Sequence, residues 1–186
     1  MKQLTNNNRV DILGIPIDEV SFYGALKKVG EFVESKESHQ VCTVNPEFII
    51  HAHKNKEFRQ ALLDASLNTA DGIGIVWAAR YLRTIKSEKA RVKRIGWLVA
   101  SLFAIIGNRK WLHSELPERI TGVDLMWELA NQAQSKEWTV YLLGGREGVA
   151  NEVAKRMNAV YPMLRIVGTY AGSPTEKGII ERVAQT

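Results

Sequence analysis

Apolar and polar positions switch between two periods along this chain, and the switching predicts an alternation of strands and helices. Val10 to Ile17 (VDILGIPI) reads as a strand broken by Gly14 and Pro16, an edge strand or hairpin arm, because proline cannot donate to a ladder. Phe22, Ala25, Leu26, Val29 and Val33 then recur at helical spacing, with Ser21 placed to cap that helix. Gln40 to Val44 is a short strand. Asn45-Pro46-Glu47 opens a helix with an asparagine cap, a proline in the first helical position and an acid in the first turn. That helix is expected to run through Ile49, Ile50, Ala52, Phe58 and Leu62 to near Ala65. Leu67 to Ala70 is a second short strand, ending in Asp71-Gly72 before a helix over Ile75 to Leu82. Thr121-Gly122-Val123-Asp124 matches a capping box ahead of a helix carrying Leu125, Leu129 and Ala133 on one face. Thr139 to Leu143 (TVYLL) reads as a buried strand that runs through Gly144-Gly145 into a helix from near Glu147 to Val160. A strand over Arg165 to Thr169 and a second capping box, Ser173 to Glu176, follow. The alternation from residue 40 onward argues for an α/β fold, a Rossmann-like and mainly parallel sheet with flanking helices.

One block departs from this pattern. Ile95 to Ile106 (IGWLVASLFAII) is continuously apolar and too short for the ~20 residues that cross a bilayer. It sits in a segment, Arg83 to His113, with eight Lys or Arg against the single acid Glu88, while the rest of the chain holds 17 basic and 19 acidic residues. The excess of the +5 molecule therefore lies in this one segment. An apolar helix with basic flanks suits an anionic membrane surface. We expect an insert over residues 83–113 of one or two helices, with Trp97, Leu98, Leu102, Phe103 and Ile106 entering the headgroup region on the cytoplasmic leaflet. The alternative is a homo-oligomer contact that buries the same stripe.

Composition narrows the class. A chain of 186 residues fits one domain with a substantial core, and its apolar and charged fractions of 45% and 24% are those of a soluble globular protein. The polar start MKQLTNNNR has no signal region, and a lone Cys42 agrees with a reducing cytoplasm. No CxxC, HExxH or P-loop is present, and His51 and His53, two apart on a helix, face different ways, so no metal site is expected. The basic patch lacks an aromatic stacking platform or a reading motif, which ranks nucleic acid low.

Ligands of open α/β sheets bind beyond the carboxyl ends of the strands. Three strand-to-helix junctions carry polar residues there: Thr43-Val44-Asn45, Asp71-Gly72-Ile73-Gly74 and Gly144-Gly145-Arg146. Asp71 follows a strand directly, beside glycines that let a ligand approach, and its carboxylate could take a proton from a substrate hydroxyl. From position alone Asp71 reads more readily as a cap or turn residue of its helix; Asn45 is also a good cap, and Thr43 could be an ordinary strand residue. Gly144-Gly145 before a helix could cradle a phosphate or simply make a turn. Arg119 could neutralise a diphosphate or pair with Glu118 or Asp124.

Taken together, TVNPEFI, ADGIGIVWAAR, PERITGVDLM and VYLLGG, in that order from about Val10 to the end, resemble the WecG/TagA/CpsF family of bacterial glycosyltransferases. The DGxGIV stretch and the PER-x-x-G-x-D-L run are the most specific pieces. The resemblance implies one α/β glycosyltransferase domain over residues 1–186. It implies inverting transfer of N-acetylmannosamine or a related hexose from a UDP-sugar to an undecaprenyl-diphosphate-linked sugar. Such enzymes serve cell-wall or surface polysaccharide synthesis at the inner face of the membrane, with no metal and no cofactor beyond the donor. Matched to the family's motifs, Asp71 corresponds to the proposed base, Thr43 and Asn45 to pocket positions, and Arg119 to an arginine that engages the diphosphate; Gly72, beside Asp71, is expected to bind substrate from its position.

Two departures accompany the likeness. The linker ahead of PER is expanded into the apolar insert. The family continues through a glycine-rich strand-loop, a GxPxQE-like segment and a basic tail, so the chain is expected to be C-terminally truncated. This keeps a second reading, an inactive paralogue that binds membrane or a partner. A third, a dehydrogenase or methyltransferase, calls for a complete Gly-rich fingerprint that Gly144-Gly145 does not supply.

Overall fold

A two-residue turn in left-handed backbone opens the fold. Leu13 and Gly14 have φ of 54° and 82°, which matches the twist of a tight hairpin and joins β1 (Arg9–Ile12) to an antiparallel β2 (Ile15–Asp18). The Asp11 carboxylate accepts the Gly14 N–H at 3.1 Å, and Arg59 donates to the Gly14 carbonyl. The interrupted strand of the sequence is thus a complete hairpin. The computed structural model describes residues 8–35, 37–86, 91–107 and 115–172, with backbone alone for 86, 91, 92, 94 and 104–107. The capping box at Ser173 lies outside the described residues.

Helix α1 (Phe22–Glu34) is capped by Ser21, whose hydroxyl accepts the Gly24 N–H, and buries Ala25 and Leu26. Strand β3 (Val41–Val44) leads to α2 (Pro46–Lys54), and α3 (Lys56–Asp64) precedes β4 (Leu67–Ala70). The single helix expected from Asn45 to Ala65 is therefore two. Asn55 is extended, at φ −125°, and its side chain accepts the Phe58 N–H at 3.0 Å, so it ends one helix and caps the next. Phe58 then meets Phe48 and His51 edge-on across the break. Helix α4 (Ile73–Lys86) extends beyond its expected range at both ends, and α5 (Arg91–Gly107) follows. The chain then continues through α6 (Gly122–Lys136), β5 (Thr139–Leu143), α7 (Val149–Val160) and β6 (Arg165–Tyr170).

The protein is a mixed α/β structure with short sheets, in two compact units that meet in sequence at Gly122 and Val123. In the first, β3 and β4 pair in parallel and the core gathers Ile12, Ile15, Ile17, Val44, Leu62 and Ile75. Strand β2 lies alongside β4 without a backbone ladder between them. Side chains bridge instead. The fully buried Asp18 carboxylate accepts the Asn68 N–H at 2.8 Å and pairs with Arg9 at 3.0 Å. The Asn68 amide donates to the carbonyls of Pro16 and Leu62. In the second unit, β5 and β6 pair in parallel, and Ala130, Ala133, Met157 and Leu164 form the core. The expectation that β5 is buried is corrected: it is half-buried with exposed ends, since β6 is its one strand neighbour among the described residues.

The Asp18–Asn68 junction yields a stability prediction. Asp18→Ala leaves a buried N–H without an acceptor and should lower unfolding stability by about 1–3 kcal/mol, read by urea denaturation. Asp18→Asn, which keeps one acceptor oxygen, should cost less. An unchanged midpoint in Asp18→Ala would show that the junction does not hold the hairpin to β4.

Candidate functional site

Because β3 and β4 run parallel, with Thr43 opposite Thr69 and Val44 opposite Ala70, their carboxyl ends open on one edge of the first unit. Two backbone hydrogen bonds pin that edge. The Asp71 N–H donates to the Val44 carbonyl, and the Ile120 N–H donates to the Ala70 carbonyl, each at 2.8 Å. The Asp71 backbone is thereby fixed on both sides while its side chain is left to project. Its carboxylate accepts one bond among the described residues, a long one of 3.4 Å from the Gly122 N–H. It does not cap α4, whose first turn is closed by the backbone bond from Ile75 to the Gly72 carbonyl. The capping alternative for Asp71 is therefore not what the structure shows. Gly72 is left-handed at φ 97°, and a Cβ there would meet nothing within 4 Å, so the flank of Asp71 is open.

Thr43 and Asn45 come to the same edge from β3. A Cβ on Gly122 would stand 2.9 Å from the Thr43 Oγ1, so glycine at this position lets its own backbone approach Thr43 while its N–H reaches Asp71. Asn45 does cap α2, its Oδ1 accepting the Phe48 N–H at 2.9 Å, which leaves its Nδ2 donors uncommitted among the described residues. A Cβ on Gly74 would touch Pro46 at 3.0 Å, so the first turns of α2 and α4 abut here. Two helix N-termini at one edge favour an anionic ligand. Gly122 is the site residue that sequence reasoning missed: the TGVD run reads as a capping box, and nothing in its spacing reveals which carboxylate the glycine N–H would meet.

Arg119 precedes the pinned Ile120 and is exposed, with no ion pair or hydrogen bond among the described residues. The alternative of a pair with Glu118 is not seen: the Glu118 carboxylate takes the Phe22 N–H at the head of α1. Gly144 and Gly145 belong to the second unit. Both are left-handed, at φ 110° and 80°, and with Gly148 they lead into α7, which has no side-chain cap. Cys42 faces the core, and burial pushes its thiol up, against a smaller lowering from the Gln40 side chain, the reverse of what a nucleophile needs. Among the described residues, no three His, Cys, Asp or Glu gather as metal ligands, and no helix is long and apolar enough to cross a membrane.

The insert residues separate into two sets. Trp97, Leu102 and Phe103 are exposed on α5, whereas Leu98 is half-buried and does not share their exposure. Ile106 lies in α5 with its side chain outside the described residues. Ile95 and Val99, not in the expected set, are also exposed.

Comparison with known proteins accords with these motifs. A protein of Bacillus subtilis (strain 168), named N-acetylglucosaminyldiphosphoundecaprenol N-acetyl-beta-D-mannosaminyltransferase, is 24% identical over 162 residues, 87% of this chain and 51% of its own length. The protein of the same name from Staphylococcus aureus (strain NCTC 8325 / PS 47) is 23% identical over 164 residues, 87% of this chain and 53% of its own. The chain thus spans about half the length of the curated relatives it matches. The family profile described as glycosyl transferase WecG/TagA/CpsF matches residues 10–111 and 103–186. The matched segments together take in nearly the whole sequence, and the chain belongs to the WecG/TagA/CpsF family of glycosyl transferases.

Proposed function

We propose that the chain carries the donor- and acceptor-reactive part of a Rossmann-like glycosyltransferase. It moves N-acetylmannosamine or a related hexose from a UDP-sugar to an undecaprenyl-diphosphate-linked sugar in cell-wall or surface polysaccharide synthesis. The names of the two relatives support the sugar and the lipid-diphosphate acceptor. The observation that carries the reading is the uncapped Asp71 carboxylate, on a doubly pinned strand end beside an open glycine flank.

The chemistry follows from that placement. Asp71 accepts the proton of the acceptor hydroxyl as its oxygen attacks the anomeric carbon. The bond from that carbon to the UDP oxygen breaks on the opposite face, so the configuration inverts. Thr43 Oγ1 and Asn45 Nδ2 supply hydrogen bonds to the sugar. Arg119 offers a planar, exposed guanidinium to a diphosphate. Taken by itself, the Gly144-Gly145 turn of the second unit offers backbone N–H groups of the kind that suit a phosphate. No cofactor beyond the donor enters this scheme, since cationic and backbone donors suffice to stabilise departing UDP.

Two outcomes are expected. Thermal-shift titration should show stabilisation by UDP or a UDP-sugar and none by NAD or S-adenosylmethionine; stabilisation by NAD alone would refute the reading. With UDP-N-acetylmannosamine and a polyprenyl-diphosphate N-acetylglucosamine acceptor, Arg119→Ala should lower kcat/KM by about 10–100-fold, the worth of a charge-assisted bond. Unchanged kcat/KM would remove Arg119 from the site.

A further inference from the structure

Helix α5 is amphipathic in an unusual sense, because its outward side is the apolar one. Its inner side rests on α4 through Ser101, which is buried, accepts the Trp77 indole N–H at 3.0 Å and donates to the Leu98 carbonyl at 2.9 Å. Ile95, Val99, Leu102 and Phe103 recur at i, i+4, i+7 and i+8 and so share one face, at 59%, 51%, 48% and 72% exposure. Soluble surfaces scatter such side chains singly; four in one stripe mark a contact surface.

We infer that this stripe docks on an anionic lipid surface. Charge chooses the occupant. Residues 83–113 hold eight Lys or Arg against Glu88, and of these Arg83 is engaged with Glu115 at 2.7 Å, which leaves a basic excess in the sequence segment that contains α5. Lys93, two residues before Ile95 on α5, is exposed. A second copy of this chain would bring the same positive charge to the contact and would be repelled. A bilayer with anionic headgroups accepts the apolar face and is attracted by its flanks. Trp97, half a turn from Ile95, lies on the opposite side of α5, next to Ser101, and takes no part in the stripe. The helix that carries α5 also begins two residues after Asp71, so a docked α5 and the pinned strand end share one rigid element, α4, whose Ile75, Val76 and Ala79 are buried. That last link rests on the proposed sugar transfer; the lipid surface itself does not.

Co-sedimentation with vesicles tests the surface without reading transfer activity. The full chain should bind vesicles of phosphatidylglycerol and phosphatidylcholine, bind phosphatidylcholine alone weakly, and lose affinity as salt rises from about 0.1 to about 1 M. The double variant Leu102→Ser/Phe103→Ser should bind about tenfold less, with an unchanged circular dichroism spectrum. Lys93→Glu, which disturbs no packing, should weaken binding about threefold at low salt and not at high salt. Wild-type affinity in both variants would overturn the inference. So would a wild-type chain that ignores anionic vesicles, or a stable dimer that the double variant converts to monomer.

Discussion

The structure of the first unit depends on how the carboxyl end of β4 is held. The strand is buried along its whole length and short, so its side chains alone cannot fix where it stops. The bonds from Asp71 to the Val44 carbonyl and from Ile120 to the Ala70 carbonyl do so, one from each flank. Deeper in, Asp18 and Asn68 tie the hairpin to the same strand through a buried polar bridge rather than a ladder. The Asp18 carboxylate takes the Asn68 backbone N–H while the Asn68 side-chain amide donates to the Pro16 and Leu62 carbonyls, so a slip in register would leave buried polar groups unpaired. Everything that converges on the site edge, the Asn45 cap, the glycine at 122 and the loop carrying Arg119, is referenced to this strand end.

The polar groups at the site edge divide between holding the fold and facing outward. Asn45 commits its oxygen to α2 and keeps its two N–H donors, and Glu118 is engaged at the head of α1, so that its neighbour Arg119 is not neutralised. Gly122 serves both arms of the edge, since its missing side chain lets its backbone lie against Thr43 and it points an N–H at the Asp71 carboxylate. A substituent at that position would push on the Thr43 hydroxyl, so the two arms of the site are sterically linked.

Much of this was legible in the sequence for local reasons. The β4 limits, the Ser21 and Asn45 caps and the place of Asp71 just beyond its strand all follow from short-range pattern and backbone chemistry. What escaped was tertiary. The helix break at Asn55 was hidden because apolar periodicity continues through it, while the competing signal is one asparagine whose side chain takes the Phe58 N–H. The half-burial of β5 was hidden because TVYLL has the composition of a central strand, and composition does not count neighbours. On α5 the apolar block was plain, but not which side rests on α4. Ser101, the polar residue within the block, marks the buried face through its bond with Trp77.

The central claim, that Asp71 is the base of a sugar transfer, is tested most directly by the turnover of Asp71→Asn at saturating donor and acceptor. The amide keeps the shape and the Gly122 contact but cannot take a proton. If Asp71 is the base, kcat falls by about 10²–10⁴-fold while the melting temperature and UDP affinity stay at their wild-type values. Turnover within about threefold of wild type in that variant would contradict it, since loss of a general base costs far more.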